Sequence, residues 1–255
     1  MTSLGSREWA DQQEHLSRLE SATRYPSILT YHAMDNRGRL SAELAVDFGS
    51  EPVFCTEKID GTNLRIIFCE EGTFVASRKE LLHRVGERIA NPALGMVDAA
   101  YELELFSRLR PGAAPVTVFY GELYGVKATQ AHKAYSDGRP GFRLFDVLEL
   151  DRNFFELEIR RIAAWRDNGG QPFVSVERLA TIAEQLGVER VPQLSAEAPP
   201  QDLAGTQAWA LRHLPESQAV LVEGASKRPE GIVVRTGDRK RIAKIRFEDY
   251  QRALR

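Results

Sequence analysis

Residues 51–77, EPVFCTEKIDGTNLRIIFCEEGTFVAS, carry the pattern that decides the architecture. PVFCTEK and NLRIIFCE are rich in β-branched and apolar residues, and Glu71-Gly72 supplies a turn before TFVAS, so 63–77 reads as a β-hairpin. Working outward, PVTVFYGELYG (115–125) and FRLFDVLEL (142–150) read as buried strands. AVLVEG, GIVVRT and RIAKIR, between 219 and 246, read as three more in succession, joined by turns at Lys227–Pro229 and Thr236–Asp238. Helices fall between these runs: residues 7–20, then 93–109 (stopped by Pro111-Gly112), 156–168, 175–186 and 201–213. The fourth opens on Ser175 as N-cap and closes at Gly187. Strands in runs with helices between them predict an α+β fold with antiparallel sheets, not a doubly wound parallel sheet. No Pro/Gly-rich linker divides the chain, so residues 51–255 are expected to form one domain, with 1–50 as an appended N-terminal segment.

The 255 residues are 43% hydrophobic and 27% charged with a net charge of −2, which excludes a disordered tail, a collagen-like repeat or a disulfide scaffold. There is no apolar run long enough for a bilayer and no apolar signal core in MTSLGSREWADQQEHLSRLE, so neither membrane insertion nor secretion is expected. Cys55 and Cys69 fit neither a disulfide framework nor a zinc site; they read as buried thiols in a reducing cytoplasm. The even charge balance conceals an asymmetry. Residues 227–255 hold ten basic and four acidic groups, +6, against −8 for the rest. Such a segment is either a solvated end or a surface for anions.

Several short stretches carry chemistry. In Glu57-Lys58-Ile59-Asp60-Gly61-Thr62-Asn63, a lysine leaves an apolar strand and meets a glycine that permits close ligand approach. Held neutral, such a lysine is a nucleophile; otherwise it is a solvated charge at a strand end. In Phe119-Tyr120-Gly121-Glu122-Leu123-Tyr124-Gly125, an acid lies inside a buried aromatic strand and requires a metal, a cation or ligand hydroxyls, with a structural salt bridge as the alternative. Glu230-Gly231 again places an acid and a glycine before an apolar strand. Lys244 and Arg246 share one strand face and repel unless they share an anion, a phosphate chain being the obvious one. The alternative is an edge strand protected by charge. Arg78 adds a cation after the hairpin, and Phe145, beside Asp146, offers a ring for base stacking or for the core. No Gly-Lys-Ser/Thr phosphate loop and no GxGxxG follows a strand, so a nucleotide would be bound by another architecture.

In this order, KxDGxN, Ser-Arg, FYGELYG, FDV, EGIVVR and a strand with paired cations resemble the covalent nucleotidyltransferases, the ATP-dependent ligases and capping enzymes. Glu57 before the lysine, Asn63 five residues after it and the YGELYG wording resemble the RNA ligase branch; the DNA branch usually has Arg where Asn63 stands. The motifs span residues 57–246. The resemblance implies an ATP-grasp-like nucleotidyltransferase fold, with the nucleotide in a groove between antiparallel sheets. It implies that Lys58 attacks the α-phosphate of ATP to form a lysyl-adenylate, that Glu57 lies next to the adenine, and that Phe145 stacks on it. Asp60, Gly61 and Asn63 would shape the loop, Arg78 would contact phosphate or ribose, and Lys244 and Arg246 would stabilise the phosphates. Glu122 and Glu230 would hold the ribose hydroxyls or, through water, Mg²⁺ or Mn²⁺. The implied partner is RNA with a 5′-phosphate and a 3′-hydroxyl, with Arg65 and the basic segment guiding its backbone. A nick-sealing DNA ligase and a catalytically silent module binding nucleotide or RNA ends are the alternatives. The pattern departs at Arg246, where lysine is common, and in having only nine residues after it. The expectation is therefore a catalytic domain without a C-terminal accessory domain, with the first 50 residues or a partner protein supplying substrate grip.

Overall fold

The computed structural model describes residues 6–91, 95–125, 135–195, 197–222, 225 and 229–255. The chain opens with helix α1 (Ser6–Thr23), then the short strands β1 (Leu29–Thr30), β2 (His32–Met34) and β3 (Leu40–Leu44). Strands β4 (Val53–Lys58), β5 (Thr62–Cys69), β6 (Gly72–Ser77), β7 (Leu81–Arg84) and β8 (Glu87–Arg88) follow. Next come helices α2 (Met96–Glu102) and α3 (Leu105–Arg108), strands β9 (Val116–Tyr124) and β10 (Gly141–Leu150), and helices α4 (Ile159–Asp167), α5 (Val176–Leu186) and α6 (Leu203–His213). Strands β11 (Gly231–Thr236) and β12 (Ile242–Arg246) and helix α7 (Phe247–Ala253) complete the fold.

Two principal sheets result, one of four strands in the order β1-β12-β11-β4 and one of six in the order β10-β9-β5-β6-β7-β8. Their pairings are antiparallel, as the alternating patterns require, except that β1 runs parallel to β12. The period of two divides each sheet cleanly. One face of the four-stranded sheet buries Cys55, Ile232, Val234, Ala243 and Ile245 against Trp209 of α6 and Tyr250 of α7. On the six-stranded sheet, Leu64, Ile66, Phe119, Leu123 and Leu144 pack on α2, α3 and α5, while Ile67, Val118, Tyr120 and Leu148 pack on α1 and α4. Leu19 and Ala22 of α1 are fully buried there, and the leucine alone contributes about 2–3 kcal/mol.

Several sequence expectations change. The helix expected over 93–109 is two helices among its described residues, broken where Glu104 takes a left-handed φ of 54°; residues 92–94 lie outside the described residues. The helix expected from 156 begins at Ile159, after a 3₁₀ turn over Arg152–Glu156. Ala219–Val222 is not a strand, because its backbone donors are committed elsewhere: Ala219 N donates to Ser217 Oγ (3.2 Å) and Leu221 N to Tyr135 O (2.8 Å). Most of the turn expected at Lys227–Pro229 lies outside the described residues. Cys55 is buried, whereas Cys69 is only half-buried. The Ser175 cap and the Gly187 stop form as expected, with Ser175 Oγ accepting from Arg178 N and Gly187 at φ 61°.

Candidate functional site

A cleft of about 360 Å³ opens between the two sheets. Register explains its first wall. Lys58 pairs with Gly231 and Gly231 with Arg246; Thr56 pairs with Val233 and Val233 with Lys244; Phe54 pairs with Arg235 and Arg235 with Ile242. These rows therefore share one face, opposite the apolar core, and Lys58, Thr56, Phe54, Val233, Arg235, Ile242 and Lys244 line the cleft. Gly231 is obligatory here, because a Cβ would lie 2.0 Å from Ile245 O. The facing wall is the end of the six-stranded sheet, where Asn63 pairs with Glu122. Gly61 lets the turn between β4 and β5 lie on that wall: its Cβ would meet Leu123 O at 2.5 Å.

At the mouth, Lys58 Nζ donates to Glu230 Oε2 at 2.5 Å, and Arg246 Nε lies 3.0 Å from the other oxygen, Oε1. Burial and the neighbouring charges of Lys58, Arg246 and Arg78 lower the Lys244 ammonium from its ordinary range. Across the cleft, desolvation pushes the Glu122 carboxyl up to about 8; Glu230 and Asp60 add to this, while Lys58 and the Gly61 N–H oppose it. The Asn63 Oδ1 atom is buried on the same wall without a hydrogen-bond partner among the described residues. Arg78 Nη2 donates to Ser27 Oγ (2.9 Å) at the rim. Asp60 N donates to the Tyr135 hydroxyl (3.0 Å), which fixes the turn after the lysine.

Glu57 lines the cleft, yet its carboxylate accepts from Ser217 Oγ and from Gln218 N (2.8 Å) on the far side of β4. Burial raises its pKa despite these bonds. Phe145 lies deeper, past a β-bulge between Leu144 and Asp146, with its ring edge-on to Tyr25 at 5.1 Å. The structure thus gathers Glu57, Lys58, Gly61, Asn63, Arg78, Glu122, Phe145 and Lys244 around one cavity, with Glu230 and Arg246 in contact with the lysine or its partner.

Arg65 is corrected. It is fully buried under α1, donating to Ser77 O (2.7 Å) and Thr23 Oγ1 (2.9 Å), so it cannot guide a nucleic-acid backbone. Lys227 and Arg228 lie outside the described residues, and most of the rest of the basic segment is divided between a buried pair of arginines and surface ion pairs. Arg235 and Arg239 both bind the buried Asp146, Arg241 pairs with Glu51, Lys240 with Asp238 and Arg252 with Glu248. Lys244 has no ion pair among the described residues.

Sequence reasoning missed two pieces. Residues 189–195 form an extended strap bonded to both sheets: Leu144 N donates to Glu189 O, Glu57 N to Pro192 O and Cys55 N to Ser195 O, all within 3.0 Å. It brings Arg190, Val191 and Gln193 to the cleft. Residues 24–30 form a second strap, lining the cleft with Tyr25, Pro26 and Ile28. Neither is periodic, so neither gave a signal; the strand period alone would have placed Arg235 on the face of Lys58.

A family model described as RNA ligase matches residues 51–246. The fold is similar to solved structures of Naegleria gruberi RNA ligase. One, with pyrophosphate, has a TM-score of 0.55 at 17% identity and covers 79% of this chain and 51% of that one. A variant with ATP and Mn has a TM-score of 0.55 at 17% identity, covering 91% and 62%. An apo variant has a TM-score of 0.57 at 15% identity, covering 90% and 61%. The chain therefore spans between half and about three fifths of the length of these proteins. No curated protein sequence matches it significantly. With a family match that covers both walls of the cleft, from the lysine turn to the paired cations, the chain belongs to the RNA ligase family.

Proposed function

We propose that this protein is an ATP-dependent RNA ligase of the covalent nucleotidyltransferase fold and that residues 51–255 are its adenylyltransferase unit, with Lys58 as nucleophile. The observation that carries this reading is the placement of Lys58 Nζ at the mouth of a nucleotide-sized cleft, in contact with Glu230 and one register row from Lys244. In the proposed step the lysine nitrogen attacks the α-phosphorus of ATP. A P–N bond forms, the bond to the bridging oxygen of pyrophosphate breaks, and pyrophosphate leaves. The amine must shed a proton to react, and the Glu230 carboxylate at 2.5 Å is the nearest acceptor. Lys244, Arg246 and Arg78 neutralise the phosphates, which is most of what phosphoryl transfer asks of a protein. Phe145 stacks on the adenine, Glu57 lies beside it, and Asp60, Gly61 and Asn63 hold the loop. The AMP then passes to an RNA 5′-phosphate, and a 3′-hydroxyl displaces it to form the phosphodiester.

The residues present suit a divalent ion that arrives with its substrate. Among the described residues no group of three or more His, Cys, Asp and Glu could hold one. Glu122, Glu230 and Asn63 Oδ1 nevertheless offer oxygen atoms at the phosphate end, and Mg²⁺ or Mn²⁺ commonly takes one or two carboxylates and completes its shell with water and phosphate. When bound, the ion supplies charge neutralisation at the phosphates. Incubating the protein with each of the four nucleoside triphosphates and Mg²⁺ or Mn²⁺, then measuring intact mass, tests the reading. ATP should add one AMP; the absence of an adduct with any nucleotide or metal would contradict it.

A further inference from the structure

Tyr25 lies outside the residues that match the family model, yet it belongs to the cleft. Helix α1 anchors on the six-stranded sheet, and β1 joins the four-stranded sheet beside Lys244, where Thr30 pairs with Lys244 and Tyr31 N donates to Lys244 O (3.0 Å). The segment between them must therefore cross the cleft. Pro26 biases Tyr25 toward extended backbone, which suits a crossing strap.

The tyrosine reaches five groups at the deep end: the rings of Phe145, Phe173 and Tyr120, the Asp146 carboxylate and the Arg239 guanidinium. Its ring meets Phe145 edge-on, at 5.1 Å and 78°, and Phe173 at 5.6 Å and 76°. Its hydroxyl donates to Asp146 Oδ2 at 2.6 Å, on the residue that follows Phe145 in the bulge. The Arg239 guanidinium lies 4.9 Å from its ring centre and 3.6 Å from that of Phe173, and it binds the same Asp146 oxygen at 2.7 Å. Phe145 is thus held from both sides, through its backbone by Asp146 and through its ring by Tyr25. A bulge leaves a side chain without ladder neighbours to fix it, so its angle is set by the rings packed on it, Tyr25 at 5.1 Å and, farther off, Tyr120 at 6.5 Å.

We propose that Tyr25 is a positioning residue that sets the angle of Phe145 and so the stacking of the nucleobase. This rests on the reading of the cleft as a nucleotide site. Base–aromatic stacking contributes about 1–3 kcal/mol per base, so a ring turned away from the base is expected to weaken nucleotide capture about tenfold. The test uses the full chain, with Tyr25→Ala, Tyr25→Phe and the wild type carried through thermal unfolding, steady-state adenylylation, and binding of 2-aminopurine riboside triphosphate, whose fluorescence is quenched on stacking. Tyr25→Ala should raise the KM for ATP about tenfold, more than it lowers kcat, and lose most of the quench; Tyr25→Phe, which keeps the ring, should restore most of both. Should a folded Tyr25→Ala protein show wild-type KM and full quench, the inference is overturned. If the wild type quenches the probe but forms no adduct, and Tyr25→Ala loses the quench, the covalent reading fails and the role of Tyr25 stands. If Tyr25→Phe is as impaired as Tyr25→Ala, the ring contact is not what matters and the proposal falls.

Discussion

Two charge clusters flank the cleft, one tying the two sheets together and one within the four-stranded sheet alone, and they are built in opposite ways. At the floor, Asp146 of β10 binds Arg235 of β11 at 2.6 Å and Arg239 at 2.7 Å, with the Tyr25 hydroxyl on the same carboxylate. Side-chain exposure there is 1% for Asp146 and 6–8% for the arginines. Although burial opposes ionisation, the two guanidiniums hold the Asp146 carboxyl below its ordinary range. At the mouth, Lys58, Glu230 and Arg246 make a similar ion-pair chain, but they stay 20–36% exposed and are flanked by Lys244 and a carboxyl, Glu122, pushed up to about 8. The floor cluster is sealed and committed; the mouth cluster is open and has donors and acceptors to spare. Charge in a sealed place holds a fold, and charge left unbalanced beside a cavity is available to a ligand.

The strongest way to break this contrast is at the lysine. Lys58→Met should abolish nucleotide adduct formation altogether, read by intact mass, while stability changes by less than about 1 kcal/mol because a pair still open to water is weak. The floor should behave the other way. Asp146→Asn leaves two arginines sharing no full counter-charge and should cost about 3–5 kcal/mol, measured by denaturant unfolding. Equal stability losses at the two sites would erase the distinction.

Glu122 sharpens it further. Its raised pKa means that the folded state keeps a proton that the unfolded chain releases near the ordinary 4.5, so this group's contribution is intact at low pH and declines as pH rises toward about 8. Stability should therefore fall across that window in ion-free protein, and Glu122→Gln should flatten the fall, measured by unfolding midpoints from pH 4 to 9. The smallest expected effect is at the turn. In Gly61→Ala a Cβ would press on Leu123 O, a backbone atom, at 2.5 Å, and the variant should lose about 1–3 kcal/mol, with slower adenylylation than its stability explains.

Much of this was legible in the sequence, for a physical reason. A strand period of two places every second residue on one face, so PVFCTEK, GIVVRT and RIAKIR declare both their cores and their cleft faces. The other cleft-lining motifs sit on β5, β9 and β10 or at the end of β6, where the same period holds. What was not legible depends on partners distant in the chain. Arg65 looked like a surface cation, because Thr23, which receives it, lies 42 residues away in α1. The pairing of Asp146 with Arg235 spans 89 residues and leaves no local mark in either strand. Tyr25, Arg190 and Gln193 stand on aperiodic straps, where no pattern separates a cleft residue from a solvated one.

The central claim is that the amine at position 58 captures AMP. The most direct measurement is peptide mapping by mass spectrometry after exposure to ATP and a divalent metal, repeated after adding pyrophosphate. The account predicts a single AMP on the peptide containing Lys58, removed by excess pyrophosphate with return of ATP. An adduct on another residue, or a protein that binds ATP yet stays unmodified, would contradict it.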